Sequence, residues 1–436
     1  MKKQVISTTC KCFINLILAI AIGFILMVLV YMLPIDRIKF NVLHSANMYK
    51  FEQVGQSFAG PDYEFSVLDN YTDGLMLLTA MDDNDVPFFD KVLLNYRMGY
   101  KGEAPNGTIV LASQNAAGTV YELEYPRYWH GYLIWMKPLL MFFDASDLRV
   151  INMFIQFILV FWLLYLMQKR IGTRCSAAFM VTWLILNPLA EACSFQYSAI
   201  FYIMLISSII VLRHGKYFED KQIWPIFFLN IGIAVGYFDL LTYPVASFGI
   251  PLILYVMLYP NQWNAIGKSI KRIIGCGISW IVGYAGMWAG KWIITQALTS
   301  FDAVKDALVE VLFRTTDDTA VEGEVTALRA ITSNITIMFK WPFVFLFAGI
   351  LAFVIIGVLR GKWHIKVDRM AAIVLVIIAL LPLCWYAVLK QHSIIHYRYT
   401  YRDLSVSVFA VLLMLFTSVS DNNRAGVINS HKGIID

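Results

Sequence analysis

Long apolar runs recur along nearly the whole chain, and they limit its fold more than any other feature. The runs are 13–33, 149–168, 176–190, 197–213, 223–239, 245–259, 273–297, 341–359, 370–389 and 403–419. A helix needs roughly 20 apolar residues to cross a bilayer. In lipid a helix also satisfies its own backbone, which an open strand cannot. The expected fold is an all-α polytopic membrane protein of about ten transmembrane helices. Composition agrees: 59% of the 436 residues are hydrophobic and 15% are charged, where soluble domains carry about a quarter charged residues. The first run follows Met-Lys-Lys as a secretory signal would. It is longer than a signal's apolar core and lacks a small-x-small cleavage site, so it reads as a retained anchor.

Charge sets the expected orientation. With the N-terminus inside and the runs alternating, the short inner connections hold Lys169, Arg170 and Arg174, then Arg213, Lys216 and Lys221, then Lys268, Lys271 and Arg272, then Arg360, Lys362, Lys366 and Arg369. Short basic loops belong on the cytoplasmic side. Both termini are therefore expected in the cytoplasm, with the protein in a plasma membrane, that of a bacterium. The net charge of +5 resides in these loops. No basic patch suited to nucleic acid is present. The six cysteines show no spacing that suggests a zinc site or a disulfide framework.

Two outer loops carry the remaining mass, 34–130 and 298–340. Loops of such length are commonly functional. In the second, Phe301, Val304, Leu308, Val311 and Leu312 form one helical stripe, which predicts an amphipathic helix on the outer membrane surface. The acidic TTDDTAVEGEV after it reads as a connector.

The first loop contains SVLDNYTDGLMLLTAMDDND, residues 66–85. Ser66 and Asp69 have capping-box spacing. Asp73 falls one turn beyond Asp69 beside Leu75, Met76, Leu77 and Leu78. Apolar surroundings raise a carboxylate's pKa and suit it to general-base work. Asp73 is the first candidate base and Asp69 the second. Asp83 and Asp85 form the pair closest to a divalent-metal motif, though no cofactor is expected. Arg127 and His130, in YPRYWHGYLIWMKPLL, sit among aromatic residues that stack on sugar rings. Asp239, at the outer end of a run, marks a cavity by its depth, with Lys291 as its candidate ion-pair partner. Glu191, in NPLAEACS, reads as an exposed turn residue. Three N-x-T sequons stand at Asn70, Asn106 and Asn334.

The densest cationic stretch is KQHSIIHYRYTYRD, residues 390–403, with a single acid, Asp403. Its alternation suits a strand. As a helix it would put His392 with His396 and Arg398 with Arg402 on shared faces. Arginine matches a phosphate bidentately. Arg398, Arg402, His392 and His396 are therefore expected to bind the phosphate of a lipid-linked sugar.

Together these features resemble the GT-C superfamily of integral-membrane glycosyltransferases: a polytopic chain, a large first outer loop with acids, a second long loop with a surface helix, and cations near the last runs. The resemblance is architectural and spans most of the chain. It implies a polyprenyl-phosphate sugar donor, a glycan or lipid-linked acceptor, an outer-face site in contact with membrane lipid, and a carboxylate base in the first loop. It also implies a role in cell-surface polysaccharide or glycoconjugate assembly. A lipid-linked polysaccharide polymerase or ligase, and a transporter or flippase without chemistry, are the alternative classes.

Overall fold

A computed structural model describes residues 2–315 and 323–421. Most of TTDDTAVEGEV lies outside these residues. Helices dominate the described chain. Among the described residues, seven helical segments are long and apolar enough to cross a membrane: Thr9–Tyr31, Ala145–Arg170, Phe195–Lys221, Ile266–Leu298, Trp341–Leu359, Arg369–Val388 and Tyr397–Ser418. Each covers all or nearly all of one of the sequence's apolar runs. The other three runs form shorter apolar helices, Thr173–Leu186, Trp224–Phe238 and Val245–Leu258.

Local chemistry explains the shortness. The Thr173–Leu186 helix starts after Gly172 at φ 136° and stops at Asn187, whose φ of 59° only a few residue types tolerate. Trp224–Phe238 begins with Pro225 in its first turn, where proline's missing N–H costs nothing. It ends where Asp239 turns the chain. The Arg369–Val388 segment is itself two helices, Arg369–Ala379 and Leu381–Val388, with Pro382 opening the second.

Small residues hold the bundle's closest pair. The helices Trp224–Phe238 and Ile266–Leu298 approach so tightly that a Cβ on Gly232 would strike the carbonyl of Trp280. One on Gly283 would strike the carbonyl of Leu229. Between lipid-embedded helices, such van der Waals approach replaces the hydrophobic drive that water would supply. The largest apolar core lies among these helices and includes Phe228, Phe248, Trp280 and Tyr284. A second core joins the first helix to the first loop through Met27, Ile38, Leu77, Trp129 and Leu133.

The two long loops meet at one end of the bundle. Lys340 pairs with Glu64 at 2.9 Å, and Arg127 with Asp306 at 2.9 Å. The amphipathic helix forms over Ala303–Thr315. Val304, Leu308, Val311 and Leu312 are exposed on it, while Asp306, Glu310 and Arg314, spaced by four, turn toward the protein. The few strands form two small pairs. Arg97–Tyr100 runs antiparallel to Val120–Leu123 within the first loop, and Trp363–Ile365 to Val419–Asp421 at the opposite end of the bundle.

The 390–403 stretch is helical rather than extended. Lys390–Ile395, Tyr397–Thr400 and a 3₁₀ turn over Tyr401–Leu404 lead directly into the last helix, Ser405–Ser418. Tertiary packing overrides the alternation, because helical turns satisfy the backbone locally where no strand partner exists.

Candidate functional site

A cavity of about 450 Å³ opens at the loop end of the bundle. Its walls come from the first loop, the start of the Phe195–Lys221 helix, the Ala303–Thr315 helix and the 390–403 turns. Asp69, His130, His392, His396 and Arg398 all line it. Five of the nine candidate site residues, distant in sequence, are thus brought to one space.

Asp69 reaches the cavity because it caps the Asn70–Ala80 helix. Its Oδ1 accepts the Thr72 N–H at 3.0 Å and its Oδ2 the Thr72 hydroxyl at 2.9 Å. Asp69 is therefore the cap itself, not the third residue of a box begun by Ser66, which instead bonds Ser57. Each carboxylate oxygen keeps a lone pair. Burial pushes the Asp69 carboxyl above its ordinary pKa, against the lowering effect of the Thr72 bonds.

Asp73 faces away from the cavity. Its carboxylate accepts the backbone N–H groups of Phe195 and Gln196, both at 3.1 Å, with the Arg149 guanidinium 4.0 Å away. It caps the Phe195–Lys221 helix from outside that helix, satisfying donors that every helix start leaves open. Burial raises its pKa to about 7. The raised pKa expected for a base is thus present, but the carboxylate serves packing and has no access to a substrate.

His392 is fixed at both ring nitrogens. Arg314 donates to Nδ1 at 3.2 Å, so Nε2 carries the proton and donates to the Leu241 carbonyl at 2.8 Å. Leu241 holds φ 65°, costly for a branched side chain. Burial, then the nearby His396 and Arg314, keep His392 well below its ordinary pKa and neutral. His396 lies 4.7 Å from it ring to ring and stacks on Tyr399. Burial and Arg314 lower its pKa to about 4. The two histidines share a face, as a helical reading requires. Both are neutral; the N–H of His392 is taken by Leu241 O, so only His396 has a ring N–H left to offer, and the arginines carry the positive charge.

Arg398 is exposed at the cavity, with no carboxylate at ion-pair distance among the described residues. Arg402 is not beside it. Its side chain is 0% exposed and points into the bundle, where Nε meets Glu191 Oε1 at 2.6 Å and the guanidinium lies over the Tyr197 ring. Glu191 is likewise wholly buried rather than an exposed turn residue, and it accepts the Tyr243 hydroxyl. The two arginines therefore do not meet one phosphate.

Four other sequence candidates have structural partners. Arg127 binds Asp306 and Glu310 and so fastens the amphipathic helix to the first loop. Asp239 caps its own turn at the Thr242 N–H and hydroxyl. Lys291 does not pair with it, donating instead to Leu93 O at 2.7 Å and Asn95 Oδ1 at 3.1 Å. Asp83 pairs with Lys39. Among the described residues no group of three or more His, Cys, Asp or Glu is placed to hold a metal ion. The sequon asparagines Asn70, Asn106 and Asn334 are all buried.

Two charged cavity residues have no place among the sequence candidates, Arg97 and Arg314. Arg97 lies on a short strand, and its guanidinium stands 4.7 Å from the Tyr125 ring centre. Arg314 stands 6.0 Å from the Tyr128 ring, and those two rings are 5.6 Å apart. His130 fills the angle between them at φ 54°. It accepts from the Tyr132 hydroxyl and donates to Tyr125 O. The cavity wall is thus aromatic, with a cation at each end. The available signals were an arginine beside tyrosines, Arg97 between Tyr96 and Tyr100, and an arginine on the polar side of the amphipathic helix, Arg314; both patterns are too common to single out.

A second, almost wholly apolar groove of about 460 Å³ adjoins the first. Met76, Tyr132, Gln196 and Leu240 line both spaces. From there it runs between the Ala145–Arg170 and Phe195–Lys221 helices along Leu159, Ile203 and Ile206. Neither a family model, a characterised protein nor a solved structure matches the chain.

Proposed function

We propose that the protein is a membrane glycosyltransferase that takes a sugar from a polyprenyl-phosphate carrier at the outer face of the membrane. The observation that carries this reading is the junction of two spaces, one polar with arginines and a carboxylate, the other apolar and long. A phosphate-linked lipid needs both, and the four residues common to them mark where its chain would pass from the polar space into the apolar one. Tyr125 and Tyr128 offer faces to a sugar ring.

The chemistry assigned to each group follows from its position. Asp69, accessible in the cavity and raised in pKa, takes the proton from the acceptor hydroxyl as that oxygen bonds to the anomeric carbon. The bond from that carbon to the phosphate oxygen breaks. The departing phosphate gains charge, which Arg398 and Arg314 stabilise. The neutral His396 contributes an N–H donor. With the loop end outside, the ten apolar helices form ten spans and both termini lie in the cytoplasm.

Asp69→Asn tests the reading. Asparagine caps a helix about as well as aspartate, so folding and donor binding are expected to persist. Transfer from a polyprenyl-phosphate sugar is expected to drop by roughly 10²-fold or more, the usual scale of acid–base catalysis. Full activity in Asp69→Asn, or a wild-type protein that binds no polyprenyl phosphate, would remove the reading.

A further inference from the structure

Arg97 stands apart from the other cavity cations. Arg314 shares Glu310 at 3.1 Å and also bonds His392, while Arg398 is exposed at the mouth. Arg97 is only 9% exposed, lines the cavity, and has no carboxylate at ion-pair distance among the described residues. Its Nε is buried without a hydrogen-bond partner. Its neighbours are tyrosines, with the face of Tyr125 4.7 Å away and Tyr132, Tyr71 and Tyr121 nearby, which offset only part of the desolvation of a guanidinium. A largely buried guanidinium with no anion beside it is unfavourable. Such a group persists where a ligand completes it.

The position matters as much as the charge. Arg97 and Arg314 sit over adjacent rings, at opposite ends of the Tyr125–Tyr128 wall. The phosphate assigned above to Arg398 and Arg314 leaves Arg97 at the far end of that wall. The neutral His130 between them supplies no charge of its own, since burial lowers its pKa to about 3.

Resting on the lipid-phosphate reading, we infer that Arg97 is a second anion seat and that the donor carries a second anionic group besides one phosphate. Two sources share that chemistry: the second phosphate of a diphosphate linkage, and a carboxylate on the transferred sugar. Arg97 is then the residue that determines donor class.

The test uses the full chain in lipid nanodiscs and four probes: geranylgeranyl phosphate, geranylgeranyl diphosphate, and the glucose and glucuronate esters of geranylgeranyl phosphate. The wild type is expected to bind one probe with two anionic groups about tenfold or more tighter than its counterpart with one, the scale of one charge-assisted contact. The diphosphate winning assigns the second phosphate; the glucuronate winning assigns a sugar carboxylate. Arg97→Gln is expected to erase that margin and leave geranylgeranyl phosphate affinity unchanged. Arg97→Lys, which keeps charge and fold but lacks the planar fork, is expected to retain part of it.

Equal wild-type affinity within both pairs overturns the inference. So does a margin that survives Arg97→Gln, or a loss equal for all four probes, which would make Arg97 a structural prop. If Arg97→Gln does not fold, the wild-type margin and its change in Arg97→Lys decide. A wild type that binds none of the four, geranylgeranyl phosphate included, overturns the lipid-phosphate reading itself.

Discussion

Arg402 and Glu191 form an ion pair in the interior of the bundle, with Nε 2.6 Å from Oε1 and neither side chain exposed to solvent. Tyr197 lies beneath the guanidinium at 3.9 Å, and Tyr243 bonds the carboxylate's other oxygen. The pair links the short Pro188–Cys193 helix to the start of the last long helix. It thereby fixes where the neighbouring Arg398 and His396 face the cavity.

Breaking that pair is expected to destabilise strongly. Arg402→Met leaves a buried carboxylate without its cation, and Glu191→Gln a buried guanidinium without its anion. Loss of one partner in such a pair costs about 3–5 kcal/mol. Thermal melting in nanodiscs should show both singles well below wild type and the double variant above the sum of the two. Singles that melt with the wild type would mean that the pair does not hold these elements together.

Arg398 should behave in the opposite way. It is exposed and has no carboxylate partner among the described residues, so Arg398→Ala should leave the melting temperature unchanged. Donor phosphate binding is expected to weaken roughly tenfold to a hundredfold, the range for losing a charge-assisted contact. Titration of geranylgeranyl phosphate into the two proteins measures this. Unchanged affinity would remove Arg398 from the phosphate site.

Asp73→Ala separates structure from chemistry. It leaves the N–H groups of Phe195 and Gln196 without acceptors, at about 1–3 kcal/mol per buried group by the usual scale. Lower stability is expected, with transfer per folded molecule close to wild type. A fully folded but inactive Asp73→Ala would return the base role to Asp73.

His130 gives a pH dependence of known sign. Its folded pKa, about 3, lies below the ordinary histidine value because of burial, then Lys291, with Arg97 a smaller cause. Between the two values the unfolded chain binds more protons, so this group's stability contribution falls as pH drops from about 6.5 toward 3. Other buried groups titrate in the same range, so the comparison with His130→Asn isolates it. The wild type's melting advantage over His130→Asn, read at pH 7.5 and at pH 5, is expected to be smaller at pH 5. An advantage that grows in acid would reverse the assignment of a neutral His130.

Gly283→Val is expected to push apart the helices Trp224–Phe238 and Ile266–Leu298, since an added Cβ meets the carbonyl of Leu229. Overpacking typically costs about 1–3 kcal/mol, and backbone collision lies at the upper end. Gly275→Ala, on the same helix with open space around it, is the control and should be neutral. Melting curves of the two variants that coincide would contradict the close approach.

The sequence by itself determined the helical, membrane-spanning character, because the length and apolarity of a run act locally and need no partner. The amphipathic stripe of Val304, Leu308, Val311 and Leu312 was legible for the same reason, as was the shared face of His392 and His396. The close pair of helices was not read from the sequence: Gly232, Gly236 and Gly283 make that contact, while Gly286 and Gly290 receive Leu16 and Ile20 of the first helix, and small residues say that a helix can be approached and not by which neighbour. Tertiary structure alone decided which polar groups remain available. Asp69 and Asp73 are one helical turn apart on the same short helix, yet one opens to the cavity and the other is taken by the backbone of Phe195 and Gln196. Arg398 and Arg402 are related in the same way, and Glu191, more than 200 residues away in the chain, is what separates their fates. A carboxylate or guanidinium carries the same charge in either setting. What it can do depends on whether a distant donor or acceptor reaches it first, and that is fixed only when the chain packs.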